Sequence, residues 1–285
     1  MLICVDGTGK RSNEAYFARN DRSFVSTIYH ESRSTAFDQD LSAALPPPSA
    51  WPSSCGPYKL YRRGPDLAAT GAKTVEPEAL AALVRQLWNN GDRQIFMTGW
   101  SRGGAIVINT AALLKTMKPK DGTTIEVEAL FLFDAVDRAR QLDAQEIPSN
   151  VKNCYHAMRD RKAKSRESFG NCGLRQESPR TRLVTLADFY TTHGAMGGVP
   201  RGKQALPAFK SPVDPTKSNG LVRWTSPEER LAQGCIDEGV PDGPTKVTVA
   251  QEWQQMMRVQ FWMWGYFRQH GVIVPRPAPP GFAYA

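Results

Sequence analysis

The pentapeptide Gly99-Trp100-Ser101-Arg102-Gly103 fits the pattern G-x-S-x-G. In that pattern a serine occupies a tight turn between a strand and a helix. The positions two before and two after it lie too close together for side chains. The turn lifts the hydroxyl clear of the sheet. It also sets the backbone N–H of Arg102 at a helix N-terminus, aimed at a developing oxyanion. A serine hydroxyl is a weak nucleophile at neutral pH, so it needs a base, and the base needs an orienting carboxylate. The chain offers four histidines: His30, His156, His193 and His270.

In doubly wound sheets the order along the chain is Ser, then Asp or Glu, then His. His30 precedes the serine. His270 follows an aromatic helix and precedes Gly271, as a helix C-terminal histidine does. His156 lies in Cys154-Tyr155-His156-Ala157-Met158, on or near the end of a strand. His193 opens His193-Gly194-Ala195-Met196-Gly197-Gly198, a Gly-rich loop after a strand that lets a histidine reach across to the serine. The residues leave both His193 and His156 open as the base, with the loop favouring His193.

For the acid, Asp134 ends the apolar run Ala129–Phe133, and a carboxylate at a strand's carboxyl end projects into the crevice where such sheets bind ligands. Asp137 is the fallback. A second oxyanion donor must come from a loop after an early strand. Gly7 and Thr8, in Asp6-Gly7-Thr8-Gly9, are the candidates, so Asp6 and Trp100 also fall near the site. The same turn lacks the G-x-x-x-x-G-K-[ST] spacing of a phosphate loop.

The elements that must position these residues read as a mostly parallel, doubly wound α/β sheet. Strands are expected at Leu2–Val5, Tyr58–Tyr61, Gln94–Thr98, Thr124–Phe133 and Asn153–Met158. Helices are expected at Glu76–Asn89, Arg102–Met117 and 248–269. Residues 31–57 are rich in Ser, Pro and Ala and read as a surface excursion. Residues 200–245 read as an insertion or cap, and Pro275–Pro280 as an extended tail. On the last helix Trp253, Met257, Phe261 and Trp264 share a face, which packs on the sheet or lines an acyl-binding wall.

The chain has 285 residues, 41% hydrophobic and 22% charged, which excludes a disordered or collagen-like chain. Five cysteines, odd in number and without a CxxC pair, argue against a disulfide framework and a structural zinc site. The start shows no basic leader or cleavage site, and no run of about 18 apolar residues occurs. A cytoplasmic product is therefore expected, with any export independent of a signal peptide. The net charge of +8 concentrates between Lys152 and Arg182, with nine basic residues against three acidic ones. Such a segment suits a solvated loop or contact with an anionic membrane surface. Nucleic acid is disfavoured, because aromatics are sparse there and no recognition motif accompanies it.

Taken together, Val5-Asp6-Gly7-Thr8-Gly9, Gly99-Trp100-Ser101-Arg102-Gly103, Phe133-Asp134-Ala135-Val136, His156-Ala157 and His193-Gly194-Ala195-Met196-Gly197-Gly198 resemble, in order, the motifs of the α/β-hydrolase family that includes the type VI secretion lipase effectors. The likeness spans residues 2–198. It departs at Ala195, where aspartate is usual, and at Arg161, where glutamate usually follows the aspartate. The resemblance implies one α/β-hydrolase domain over residues 1–285, with Ser101 as nucleophile, Asp134 as acid, His193 as base and His156 in a structural role. It also implies hydrolysis of lipid or phospholipid esters. Such acyl transfer needs no metal or cofactor. An amidase or thioesterase using the same triad, and a non-catalytic scaffold that keeps the corner serine, are the competing expectations.

Overall fold

The computed structural model describes residues 1–9, 16, 20, 23–37, 45–65, 76–137, 142, 144–200, 235–238 and 243–273. Most of the expected 200–245 cap and all of the Pro275–Pro280 tail lie outside them. In chain order the elements are β1 (Leu2–Val5), α1 (Phe24–Glu31), β2 (Thr35–Ala36), β3 (Tyr58–Arg62), α2 (Pro77–Asn89), β4 (Phe96–Trp100), α3 (Arg102–Thr116), β5 (Val127–Phe133), β6 (Glu146–Ile147), β7 (Val151–Arg159), β8 (Arg175–Gln176), β9 (Arg182–Phe189), α4 (His193–Met196), β10 (Cys235–Asp237), β11 (Pro244–Thr248) and α5 (Val249–Gln269).

Seven strands form one sheet in the order β2-β3-β1-β4-β5-β7-β9. Every neighbouring pair is parallel. The chain leaves β1 toward one edge and returns on its other side at β4. This reversal opens a crevice beyond the carboxyl ends of β1 and β4.

Alternation along the strands builds two cores. In β5, Leu130 and Leu132 face a cluster with Leu80, Leu83, Leu87 of α2 and Ile106, Ala111 of α3. Ala129, Phe131 and Phe133 face the opposite cluster, with Val25 and Ile28 of α1 and Met256, Met263 and Phe267 of α5. A strand buried on both faces is apolar at consecutive positions, which is why the 129–133 run carries no alternation. Each such side chain contributes about 1.5–3 kcal/mol on burial.

Several boundaries differ from expectation. The fourth strand begins at Phe96, opposite Leu2, and runs through Gly99 to Trp100, because it pairs with β5 as far as Trp100↔Phe133. The fifth begins at Val127, opposite Val151, not at Thr124. The seventh extends to Arg159, which pairs with Phe189 across the sheet. On α5 the buried stripe is Val249, Glu252, Trp253, Met256, Val259, Met263, Trp264 and Phe267. Met257 and Phe261, expected on it, are only half-buried. Glu252 also lies on the buried side, where Thr192 donates to its carboxylate and Thr191 to its carbonyl. Among the described residues no helix is long and apolar enough to cross a membrane.

Candidate active site

The turn after β4 has the strained geometry its sequence requires. Ser101 has φ 56° and ψ −128°, a left-handed φ that a side chain rarely adopts. A Cβ on Gly99 would lie 2.5 Å from the Gly103 carbonyl carbon, and one on Gly103 would lie 2.2 Å from the Val5 carbonyl oxygen. Only glycine fits either place, so the corner stays sharp. The Ser101 backbone is fixed as well: its N–H donates to Phe133 O at 3.0 Å, and its carbonyl accepts from Gly104 at 3.0 Å and Val136 at 3.1 Å.

Asp134 follows β5 directly, in the adjacent strand, and also has positive φ, 46°. His193 is the first residue of the short helix α4, not part of a loop. Ser101 Oγ lies 2.8 Å from His193 Nε2, and His193 Nδ1 lies 2.6 Å from Asp134 Oδ2. All three are buried. Burial opposes charge on Asp134, but the Arg159 guanidinium and the bonds from His193 and Asn171 outweigh it. They hold the carboxyl well below the usual carboxylate range. An ionised carboxylate only accepts, so Nδ1 carries the imidazole proton and Nε2 is left to accept from the Ser101 hydroxyl. Burial lowers the basicity of His193.

His193 is held from several sides. Its N–H donates to Ser165 Oγ at 2.8 Å. Its carbonyl accepts from Trp100 Nε1 at 3.2 Å. The Trp100 ring fills a slot between Gly7 and Gly197. A Cβ on Gly197 would stand 2.1 Å from that ring. Gly197→Ala should therefore displace Trp100 and His193 together. We expect kcat to fall by about 10–100-fold with KM little changed, measured on a soluble ester. Behind α4, Thr192 caps its N-terminus and donates to buried Glu252 of α5, whose carbonyl accepts from Thr191 at 3.2 Å. The aromatic helix thus steadies the base from its first turn.

His156 does not meet Ser101; both its ring nitrogens face backbone groups. It is fully buried within β7; its Nε2 accepts the Ala135 N–H at 3.0 Å, and its Nδ1 faces Gly173 O at 3.4 Å. It braces the turn behind Asp134 and stays neutral, because burial pushes its pKa down to about 4. Asp137 accepts from Leu142 N–H at 2.9 Å and contacts neither Ser101 nor His193. His270 caps α5 and lies 3.0 Å from the Tyr155 hydroxyl, and His30 sits in the last turn of α1.

The first turn corrects one expectation. The Gly7 N–H is taken by Asp6 Oδ1 at 2.8 Å and is not an oxyanion donor. Asp6 also accepts from the hydroxyls of Ser23 at 2.5 Å and Tyr61 at 2.7 Å, and burial pushes its carboxyl up to about 6. The Gly7 carbonyl accepts from Tyr16 at 2.6 Å. Because the peptide is planar and trans, the Thr8 N–H points away from Tyr16. Arg102, the first residue of α3, sets its N–H at the positive end of that helix.

The basic segment is not one surface. Lys152, at the amino end of β7, pairs with Glu126 and Glu128, far along the strand from Asp134. Lys164 pairs with Glu167 and Arg175 with Glu146. Arg159, counted with the surface charges, is buried against Asp134. Asn171 donates to Asp134 Oδ1 at 2.7 Å. Neither residue announces itself in the sequence, because an arginine ending a strand and an asparagine in a polar loop read as surface.

A mostly parallel α/β sheet with serine, histidine and aspartate joined at the carboxyl ends of its strands is the arrangement the structure presents. No protein-family model matches the chain, and no curated protein matches it. Among solved structures it is similar to the crystal structure of an uncharacterized protein from Pseudomonas aeruginosa, at 15% sequence identity and a TM-score of 0.37. The similarity covers 70% of this chain and 42% of that one, so the chain spans less than half the length of that protein.

Proposed function

We propose that the chain is a serine hydrolase of the α/β-hydrolase type that cleaves carboxylic esters, with acyl esters of lipids or phospholipids as the substrate class. The observation that carries this reading is the continuous Ser101–His193–Asp134 hydrogen-bond chain on a strained strand-to-helix corner. The resemblance to the family of type VI secretion lipase effectors supports the lipid substrate.

Ser101 Oγ attacks the ester carbonyl carbon as its proton passes to His193 Nε2, and Asp134 stabilises the imidazolium. The N–H groups of Arg102 and Thr8 receive the oxyanion; one such donor contributes roughly 3–4 kcal/mol. His193 then gives the proton to the leaving alkoxide, which departs as the alcohol and leaves an acyl-Ser101 ester. Water, deprotonated by His193, attacks that ester and releases the acid.

A fluorophosphonate should label Ser101, seen as a single modified peptide by mass spectrometry. A panel of soluble esters, thioesters, amides and phospholipid vesicles then fixes the acyl donor. An unlabelled, inert protein would make the chain a non-catalytic scaffold.

A further inference from the structure

Arg159 ends β7, and its side chain is 6% exposed. An arginine so buried needs a partner for each part of its fork. Nε donates to Ser165 O at 2.9 Å, and Nη2 donates to Arg166 O at 3.1 Å and Phe169 O at 3.0 Å. Nη1 donates to Asp134 Oδ2, the same oxygen that accepts from His193, and lies 3.5 Å from His193 Nδ1.

The three carbonyls belong to the segment that frames the base. Ser165 Oγ accepts the His193 N–H, and the Phe169 ring meets the His193 ring edge-on at 5.2 Å. One side chain therefore ties together the acid, the base and the wall beside them. Orienting the imidazole requires only the carboxylate. A fixed cation on the same oxygen adds rigidity, and it also competes with the imidazolium for the carboxylate's charge.

We propose that Arg159 is a positioning residue of the triad: it locks Asp134 and residues 165–169 around His193 and sets its cation on the carboxylate oxygen that His193 shares. The proposal rests on the hydrolase reading. Among the described residues, the other charged groups near His193 are Glu238, Arg166 that pairs with it, Glu252 and Arg102. Glu238 lies behind Arg166, accepting its N–H at 2.8 Å; Glu252 lies behind Thr192; Arg102 follows the serine. Burial is the leading cause of the lowered basicity of His193. Asp134 opposes it, Arg159 adds to it, and Glu238 opposes it more weakly.

The sign follows. Removing Arg159 removes a cation beside the imidazolium, so the base protonates at higher pH. The rate of fluorophosphonate labelling of Ser101, followed against pH, tests this. In the wild-type protein the acid limb should have its midpoint below about 6.5, the ordinary histidine value. In Arg159→Gln it should move to higher pH, and the plateau rate should fall by about 10–100-fold. In Arg159→Lys the limb should stay near that of the wild type while the plateau falls, because an ammonium carries the charge but cannot span Asp134 and three carbonyls.

An unmoved limb in Arg159→Gln overturns the proposal, leaving only a brace. Absence of Ser101 labelling at every pH removes the hydrolase reading, and the proposal with it.

Discussion

Ser101→Ala should lower the turnover of a short-chain nitrophenyl ester by about a millionfold, to the background rate of the buffer within the sensitivity of the assay. The size follows from how the site is built. In a Ser-His-Asp triad the nucleophile and base act as a unit, so losing either costs nearly as much as losing all three. With alanine, His193 Nε2 has no proton to take, and the ester carbonyl meets only the oxyanion donors. The fold should survive, because the three backbone bonds that fix position 101 involve its N–H and carbonyl, which alanine keeps. Thermal unfolding of the variant should match the wild type. Turnover retained within tenfold of the wild type would place the chemistry elsewhere.

The second large effect separates two buried histidines. His193→Ala should lose activity about as far as Ser101→Ala, and combining the two should add little. His156→Ala should keep part of its activity and lose stability instead. It leaves the buried Ala135 N–H without its acceptor at 3.0 Å, a cost of about 1–3 kcal/mol. The pH dependence of stability gives an independent check. An unfolded chain protonates His156 near 6.5, whereas the folded chain holds it neutral down to about 4. The unfolded state therefore binds the extra proton in that window, and the stabilising effect of a neutral His156 is lost as pH falls from about 6.5 to about 4. Asp6, pushed up to about 6, acts in the opposite sense over much of the same range. The informative quantity is the difference between wild type and His156→Ala in urea midpoints, in which the Asp6 contribution cancels. Equal slopes would remove His156 from the list of groups buried neutral. If instead His156→Ala destroyed turnover and His193→Ala spared it, the base would have to be reassigned.

Both histidines were visible as candidates, and both are buried; what separated them was the partners their ring nitrogens meet. His156 sits mid-strand with both ring nitrogens committed to backbone groups of neighbouring turns. His193 starts α4, whose N-terminus Thr192 caps, and its ring meets Ser101 on one side and Asp134 on the other. Local pattern places a residue on a strand or after one. It does not say which backbone N–H a neighbouring loop will bring to meet it.

The same limit explains Arg159 and Gly7. Arg159 lies in a run of basic residues, and a charge count assigns it to solvent; only the pairing of β7 with β5 and β9 buries it beside Asp134. Gly7 carries a backbone N–H in a turn of the right kind. Asp6, one residue earlier, reaches that N–H first.

The sequence alone determined what is local or periodic. Unbroken apolar strands specified a parallel sheet buried on both faces. The glycines around Ser101 specified a corner with room for no side chain, and the carboxyl end of an apolar strand pointed to Asp134, with Asp137 as the fallback. Only the tertiary structure decided which histidine meets the serine, which N–H groups stay committed to Asp6, and which charges are buried. Those outcomes depend on contacts between residues tens of positions apart. Sheet register and loop packing set such contacts, and no window of the chain records them.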